Sequence, residues 1–243
     1  MKTLQLVEIE NVKGANRALK NLLERTRTEL VGLGLFYGKA GVGKTRWAMK
    51  TAYNNGYIYH RLEQNMTTKD FISGLLSKLL QNTMPFYEVK GNKNEMYQQV
   101  LEILQRNQDI VVIVDEADYG FRNKSILATI RDWVDESLAT FVLVAMDKAK
   151  EKMQSMHGCY LNRTNCIFEF KPLNLSETEK IINEICEVSL DDEIKKFIHA
   201  KSNGTIRIVT KYIDIVEMIC KKLKKTELCY NDIKDIITTV DVK

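Results

Sequence analysis

The 243 residues are 44% hydrophobic and 28% charged, ordinary for a soluble globular protein and ample for a full core. Lys and Arg number 36 against 32 Asp and Glu, and the net charge of +4 permits a polyanionic partner without demanding one. No apolar run approaches the roughly 20 residues of a membrane span, and the start, Met1-Lys2-Thr3-Leu4, has no signal-type apolar segment. The five cysteines form no C-x-x-C pair, which points to reduced thiols in a cytoplasmic protein.

In chain order, the spacing of Ala18, Leu19, Leu22 and Leu23 predicts a helix over 15–25. Residues 30–37 form an apolar run that reads as a strand, and Trp47, Ala48, Met49 and Ala52 follow at helical spacing. Asn54-Asn55-Gly56 ends that helix. Residues 57–62 read as a short strand, and Thr67 or Thr68 caps a helix bearing Phe71, Ile72, Leu75, Leu76, Leu79 and Leu80. A loop over 85–94 leads to a helix over 95–106. The run Ile110-Val111-Val112-Ile113-Val114 reads as a strand buried on both faces, and another buried strand spans 139–145 after a helix over 125–135. A last short strand, 166–170, precedes Pro172.

Between the first strand and its helix lies Gly38-Lys39-Ala40-Gly41-Val42-Gly43-Lys44-Thr45, followed by Arg46. It fits G-x-x-x-x-G-K-[ST] in the strand–loop–helix context that this phosphate-binding loop requires. Glycines let successive backbone N–H groups face the same phosphates, and the following helix turns its positive end toward them. Lys44 then reaches the β- and γ-phosphates, and the Thr45 hydroxyl serves as a Mg²⁺ ligand. The strand at 110–114 ends in Asp115-Glu116. In a parallel sheet, ligands bind beyond the carboxyl ends of the strands, which sets these acids beside the phosphate loop. Asp115 fits the acid that holds Mg²⁺, directly or through water, and Glu116 the base that polarises the attacking water. Alternating strands and helices predict an α/β core, a mostly parallel sheet between helices.

After Pro172 everything reads as helical. Ser176-Glu177-Thr178-Glu179 looks like a capping box; Asp191 begins a helix ending at Asn203-Gly204; a long amphipathic helix covers 205–222; Asn231 caps a final one with Ile233, Ile236 and Ile237. The expected division is 1–172 for the nucleotide-binding core and 173–243 for an all-helical lid.

This order of parts resembles the AAA+ ATPases over nearly the whole chain. Within them it is similar to transposition regulators of the phage Mu B and TnsC type, through Asp115-Glu116-Ala117-Asp118, Ile130-Arg131-Asp132-Trp133-Val134-Asp135, the 141–145 strand, and Leu161-Asn162-Arg163 shortly before Ile167-Phe168-Glu169-Phe170-Lys171-Pro172-Leu173. The resemblance implies ATP and Mg²⁺ as cofactors, Arg163 as an arginine finger reaching a neighbouring subunit's ATP, and Arg207 as the lid arginine that senses the γ-phosphate. It places Asn11-Val12-Lys13 near the adenine. It also implies an ATP-dependent homo-oligomer on duplex DNA that directs a transposase, with hydrolysis releasing it.

Two features depart from that pattern. Ala145-Met146 stands where a polar residue usually orients the water, so hydrolysis is expected to be slow unless Asp147 substitutes. The chain also begins almost at the ATPase core, leaving DNA contact to the core or the lid. Candidate DNA contacts are Arg61, Lys69, Arg122, Lys124, Lys148, Lys150 and Lys152, in loops or helix starts after strands; Lys221-Lys222-Leu223-Lys224-Lys225 is the densest basic run. Without interleaved aromatics, binding is expected to be largely sequence-independent and salt-sensitive. His60, His157 and His199 lack metal-ligand spacing. The alternatives are an ATPase of the helicase-loader type and a nucleotide-gated scaffold with little turnover.

Overall fold

The computed structural model describes residues 7–27, 29–81, 89–156 and 160–237. His157, Cys159, residues 85–88 of the 85–94 loop and the apolar face of the last helix lie outside what it describes. The chain forms α1 (Glu10–Leu23), β1 (Gly32–Gly38), α2 (Lys44–Asn55), β2 (Ile58–Arg61), α3 (Thr68–Gln81), α4 (Lys93–Arg106) and β3 (Val111–Asp115). It continues through α5 (Asp118–Arg122), α6 (Lys124–Ser137), β4 (Thr140–Met146), α7 (Ala149–Ser155), a 3-10 turn at Leu161–Arg163, and β5 (Thr164–Phe170). Then come α8 (Leu175–Ile185), β6 (Ser189–Leu190), α9 (Asp192–Ser202), α10 (Ile206–Leu223), β7 (Glu227–Leu228) and α11 (Tyr230–Ile237). None of the helices, over the described residues, is long and apolar enough to cross a membrane.

The chain divides into two compact units, one of Gly14–Gly38 and Lys44–Glu169, the other of Met1–Lys13, Lys39–Gly43 and Phe170–Lys243. The first holds a five-stranded sheet in the order β2-β3-β4-β1-β5. The pairings of β2 with β3, β3 with β4 and β4 with β1 are parallel. This is the α/β fold read from the alternating strands and helices. In β3, every residue is buried, as a run of β-branched residues covered on both faces requires.

Strand alternation sorts the side chains between the faces. Leu35, Val112, Val114 and Leu143 join Phe71 and Leu75 of α3, Leu104 of α4 and Trp133 of α6 in one core cluster. On the opposite face Phe36 stacks on Trp47 of α2, ring centroids 4.9 Å apart. Gly34 lies so close to Leu22 of α1 that a Cβ would overlap it. The Arg25 guanidinium, past the end of α1, donates to the carbonyls of Leu22, Leu30 and Leu138 and to the Thr140 hydroxyl. A buried cation is tolerable there because its donors are taken up by oxygen. It ties the entry of β1 to the entry of β4.

In the second unit, the Asn11 side-chain amide pairs with both backbone groups of Lys171, donating to its carbonyl at 2.7 Å and accepting its N–H at 2.9 Å. Asp191 caps two helices: Oδ1 accepts the Ile194 N–H of α9 and Oδ2 the Tyr230 N–H that opens α11. Asn203, at φ +46°, and Gly204, at φ +70°, end α9 in left-handed backbone, and the Leu173 N–H donates to the Gly204 carbonyl.

Several expectations are corrected. The C-terminal region is not entirely helical, because β6 and β7 pair in parallel as a two-stranded sheet. The capping box of α8 is Asn174 with Glu177, two residues upstream of the one expected from Ser176 and Glu179. Asn92 with Glu95 likewise starts α4 at Lys93. Helix α1 begins at Glu10, so Asn11-Val12-Lys13 lies within it, upstream of the start expected at residue 15. Asn231 lies inside α11 instead of capping it.

Candidate nucleotide site

The loop between β1 and α2 has Gly41 at φ +78° and Gly43 at φ +97°, left-handed backbone that favours glycine. Lys39 and Ala40 are exposed, Val42 is buried, and Thr45 and Arg46 are half-buried on the first turn of α2. Lys44, 8% exposed, donates from Nζ to the Gly38 carbonyl at 2.8 Å and lies 3.8 Å from Met146 Sδ. Burial pulls the Lys44 ammonium below its ordinary pKa, and Asp115, Asp118, Glu116 and Asp147 oppose that shift. Four carboxylates around one buried ammonium leave local negative charge that favours a further cation.

Asp115 ends β3 and is 2% exposed. Its Oδ1 accepts the Glu116 N–H at 2.9 Å and its Oδ2 the Tyr59 hydroxyl at 2.7 Å. The next residue, Glu116, sits at φ +54°, a left-handed conformation that a side chain of its size rarely adopts and that costs on the order of 1 kcal/mol. Its Oε1 lies 3.4 Å from Arg61 Nη2. Asp118 accepts the Met146 N–H at 2.6 Å and the Lys152 ammonium at 3.1 Å, fixing the end of β4 beside Gly38, its register partner. Asp147 is exposed, and its carboxylate accepts the Lys148 N–H at the start of α7. The oxygen donors here, the Thr45 hydroxyl and the Asp115 carboxylate, are the hard ligands that suit Mg²⁺ beside phosphate oxygens. Among the described residues, no group of three or more His, Cys, Asp or Glu is arranged to hold a metal by itself.

Lys44, Asp115, Glu116 and Asp118 are thus brought together, with Arg61 on Glu116. Arg163 is not among them: its Nε donates to both carboxylate oxygens of Asp135 on α6, at 3.1 and 2.9 Å. Nearby, Arg131 pairs with Asp132 and lies over the Tyr160 ring. Arg207 has an exposed side chain, and its N–H donates to the Gly41 carbonyl at 3.2 Å within the second unit. Of the basic candidates, Lys69 is exposed at the first turn of α3, Lys124 opens α6, and Lys148 and Lys150 are exposed at the start of α7. Arg122 lies over the Tyr119 ring, 5.8 Å from its centroid. Tyr59 lies in no motif read from the sequence, while Asp118 and Asp135 close the stretches Asp115-Glu116-Ala117-Asp118 and Ile130-Arg131-Asp132-Trp133-Val134-Asp135, neither of which names its partner.

Residues 27–153 match the family model described as AAA domain. The chain belongs to this AAA family. Its fold is that of solved AAA+ structures. The Aeropyrum pernix ORC1 protein in complex with DNA is similar at a TM-score of 0.64 and 15% identity, over 96% of this chain and 65% of that one. The Aeropyrum pernix ORC2 protein, solved as ADPNP-ADP complexes, is similar at 0.64 and 15% identity, over 100% of this chain and 72% of the other. The Thermotoga maritima RuvB Holliday junction branch migration motor is similar at 0.60 and 18% identity, over 98% and 71%. The AAA chain therefore spans just under two thirds of the ORC1 protein's length. No curated protein matches the sequence. The AAA+ fold is one that supports nucleotide binding and hydrolysis in general.

Proposed function

We propose that this AAA protein binds MgATP, assembles with further copies on duplex DNA, directs a transposase to its target and hydrolyses ATP to come apart. The observation that carries the nucleotide part is the convergence of Lys44, Asp115 and Glu116 at the carboxyl ends of a parallel sheet. Lys44 would exchange the Gly38 carbonyl for the β- and γ-phosphates. Thr45 and Asp115 would hold Mg²⁺, which neutralises charge on the phosphates when bound. Glu116 would orient the attacking water and take its proton.

In this reading residues 1–172 are the nucleotide core and 173–243 the lid, with Arg207 sensing the γ-phosphate. Arg163 would leave Asp135 to complete the site of a neighbouring copy. DNA contact is assigned to Arg61, Lys69, Arg122, Lys124, Lys148 and Lys150. It is supported by the basic net charge and by an AAA+ neighbour solved with DNA. The transposase partner rests on the sequence resemblance. Light scattering with and without ATP and duplex DNA tests the reading; monomers indifferent to both would overturn it.

A helicase loader uses the same site, and pull-down with a replicative helicase against pull-down with a transposase separates the two. The low-turnover reading is favoured by the Met146 thioether near Lys44, where a hydroxyl or amide would orient water. Steady-state ATPase rates of the wild type decide it.

A further inference from the structure

We propose that Tyr59 is a positioning residue for Asp115, its hydroxyl fixing the carboxylate in the orientation in which it receives the nucleotide's magnesium ion. The inference rests on the reading of Asp115 as the magnesium acid and adds to it a residue from the neighbouring strand.

Strand β2 runs parallel to β3, with Tyr59 opposite Ile113 and Arg61 opposite Asp115. Alternation sends Tyr59 and Arg61 to one face and His60 to the other, where it meets the Phe71 ring edge-on at 5.3 Å. Each Asp115 oxygen thereby carries one protein donor, Glu116 N–H on Oδ1 and Tyr59 O–H on Oδ2. A carboxylate offers about four lone-pair sites, so one on each oxygen remains, already aimed.

The donor is itself held. The Lys78 ammonium of α3 donates to the Tyr59 carbonyl at 2.8 Å, and the Leu62 N–H donates to the Asp115 carbonyl at 2.9 Å. Partners of this kind, one bond removed from a metal, typically change metal affinity about tenfold or more when lost.

The test is Tyr59→Phe, read by fluorescence of a mant-ATP probe, first in EDTA and then across a Mg²⁺ titration. Binding in EDTA is expected to stay within about twofold of wild type, which also reports that the variant folds, while the Mg²⁺ half-saturation point rises about tenfold. Asp115→Asn should raise it too, and the double variant should add nothing beyond Asp115→Asn. A wild-type Mg²⁺ response in Tyr59→Phe, or additive shifts in the double variant, overturns the proposal and leaves the magnesium acid standing. An unchanged response in Asp115→Asn overturns both. Should the phenylalanine variant fail to bind nucleotide in EDTA, Tyr59→Met, of similar bulk and without a donor, takes its place with the same expected result.

Discussion

The Arg61 guanidinium lies 3.4 Å from the Glu116 carboxylate, so the acid assigned to activating water already carries a cation. Arg61 is 60% exposed, and pairs so open to solvent are worth up to about 1 kcal/mol. Removing it with Arg61→Gln is expected to free Glu116 and raise steady-state ATP turnover by up to about fivefold. A fall in turnover would mean that Arg61 contacts the nucleotide or the water instead.

Glu116→Gln keeps the shape of the acid and removes the base. Nucleotide affinity is expected to hold within a few-fold while turnover drops by about 100-fold or more. Lys44→Ala should lose affinity as well, because the ammonium is the only buried cation among the described residues of the loop. Binding isotherms and single-turnover rates on the same samples separate the two effects.

Arg163 is held by Asp135 within its own chain. If it acts on a neighbour's nucleotide, Arg163→Ala should leave nucleotide affinity intact and lower turnover in the assembled form by about 1000-fold. Mixing Arg163→Ala with Glu116→Gln should then recover measurable activity, since some interfaces pair an intact finger with an intact base. No recovery on mixing argues against a role in trans.

Gly204 sits at φ +70°, and a Cβ there would overlap the Leu173 backbone. Gly204→Ala is expected to cost about 3 kcal/mol from strain and overlap together and to lower the melting temperature by roughly 6–12 °C. A shift under about 2 °C by circular dichroism would contradict the tight approach.

His60 is 3% exposed, neither ring nitrogen has a hydrogen-bond partner, and burial, then Lys78, pushes its pKa down to about 4. The unfolded chain, with an ordinary histidine pKa near 6.5, binds the proton more readily than the folded one. The neutral ring's contribution is therefore fully present above about pH 6.5 and is lost as pH falls toward 4. About 2 kcal/mol should be gone at pH 5 relative to pH 7.5. Urea melts at the two pH values measure it, and His60→Phe should flatten the difference.

The phosphate loop, the acidic strand end and the strand–helix alternation are legible in the sequence because each is encoded by contiguous residues whose chemistry leaves few alternatives. The roles of Tyr59 and Arg61 beside Asp115 and Glu116 are not, since these pairs meet across strands more than 50 residues apart in sequence. The α8 cap is misplaced from sequence because two overlapping spacings, Asn174 with Glu177 and Ser176 with Glu179, both satisfy the box, and only the backbone chooses. Strands β6 and β7, two residues each, are too short for alternation to mark them. The bond from Arg163 to Asp135 depends on how α6 meets the 3-10 turn, which no local pattern encodes.

The Asp191 carboxylate caps α9 with one oxygen and α11 with the other, just beside the point where β6 meets β7. Helices that begin on one shared anion do not fray independently. Replacing Asp191 by Ala would release both starts at once, so amide hydrogens near Ile194 and Tyr230 should exchange as one cooperative block rather than in order of distance from the C-terminus.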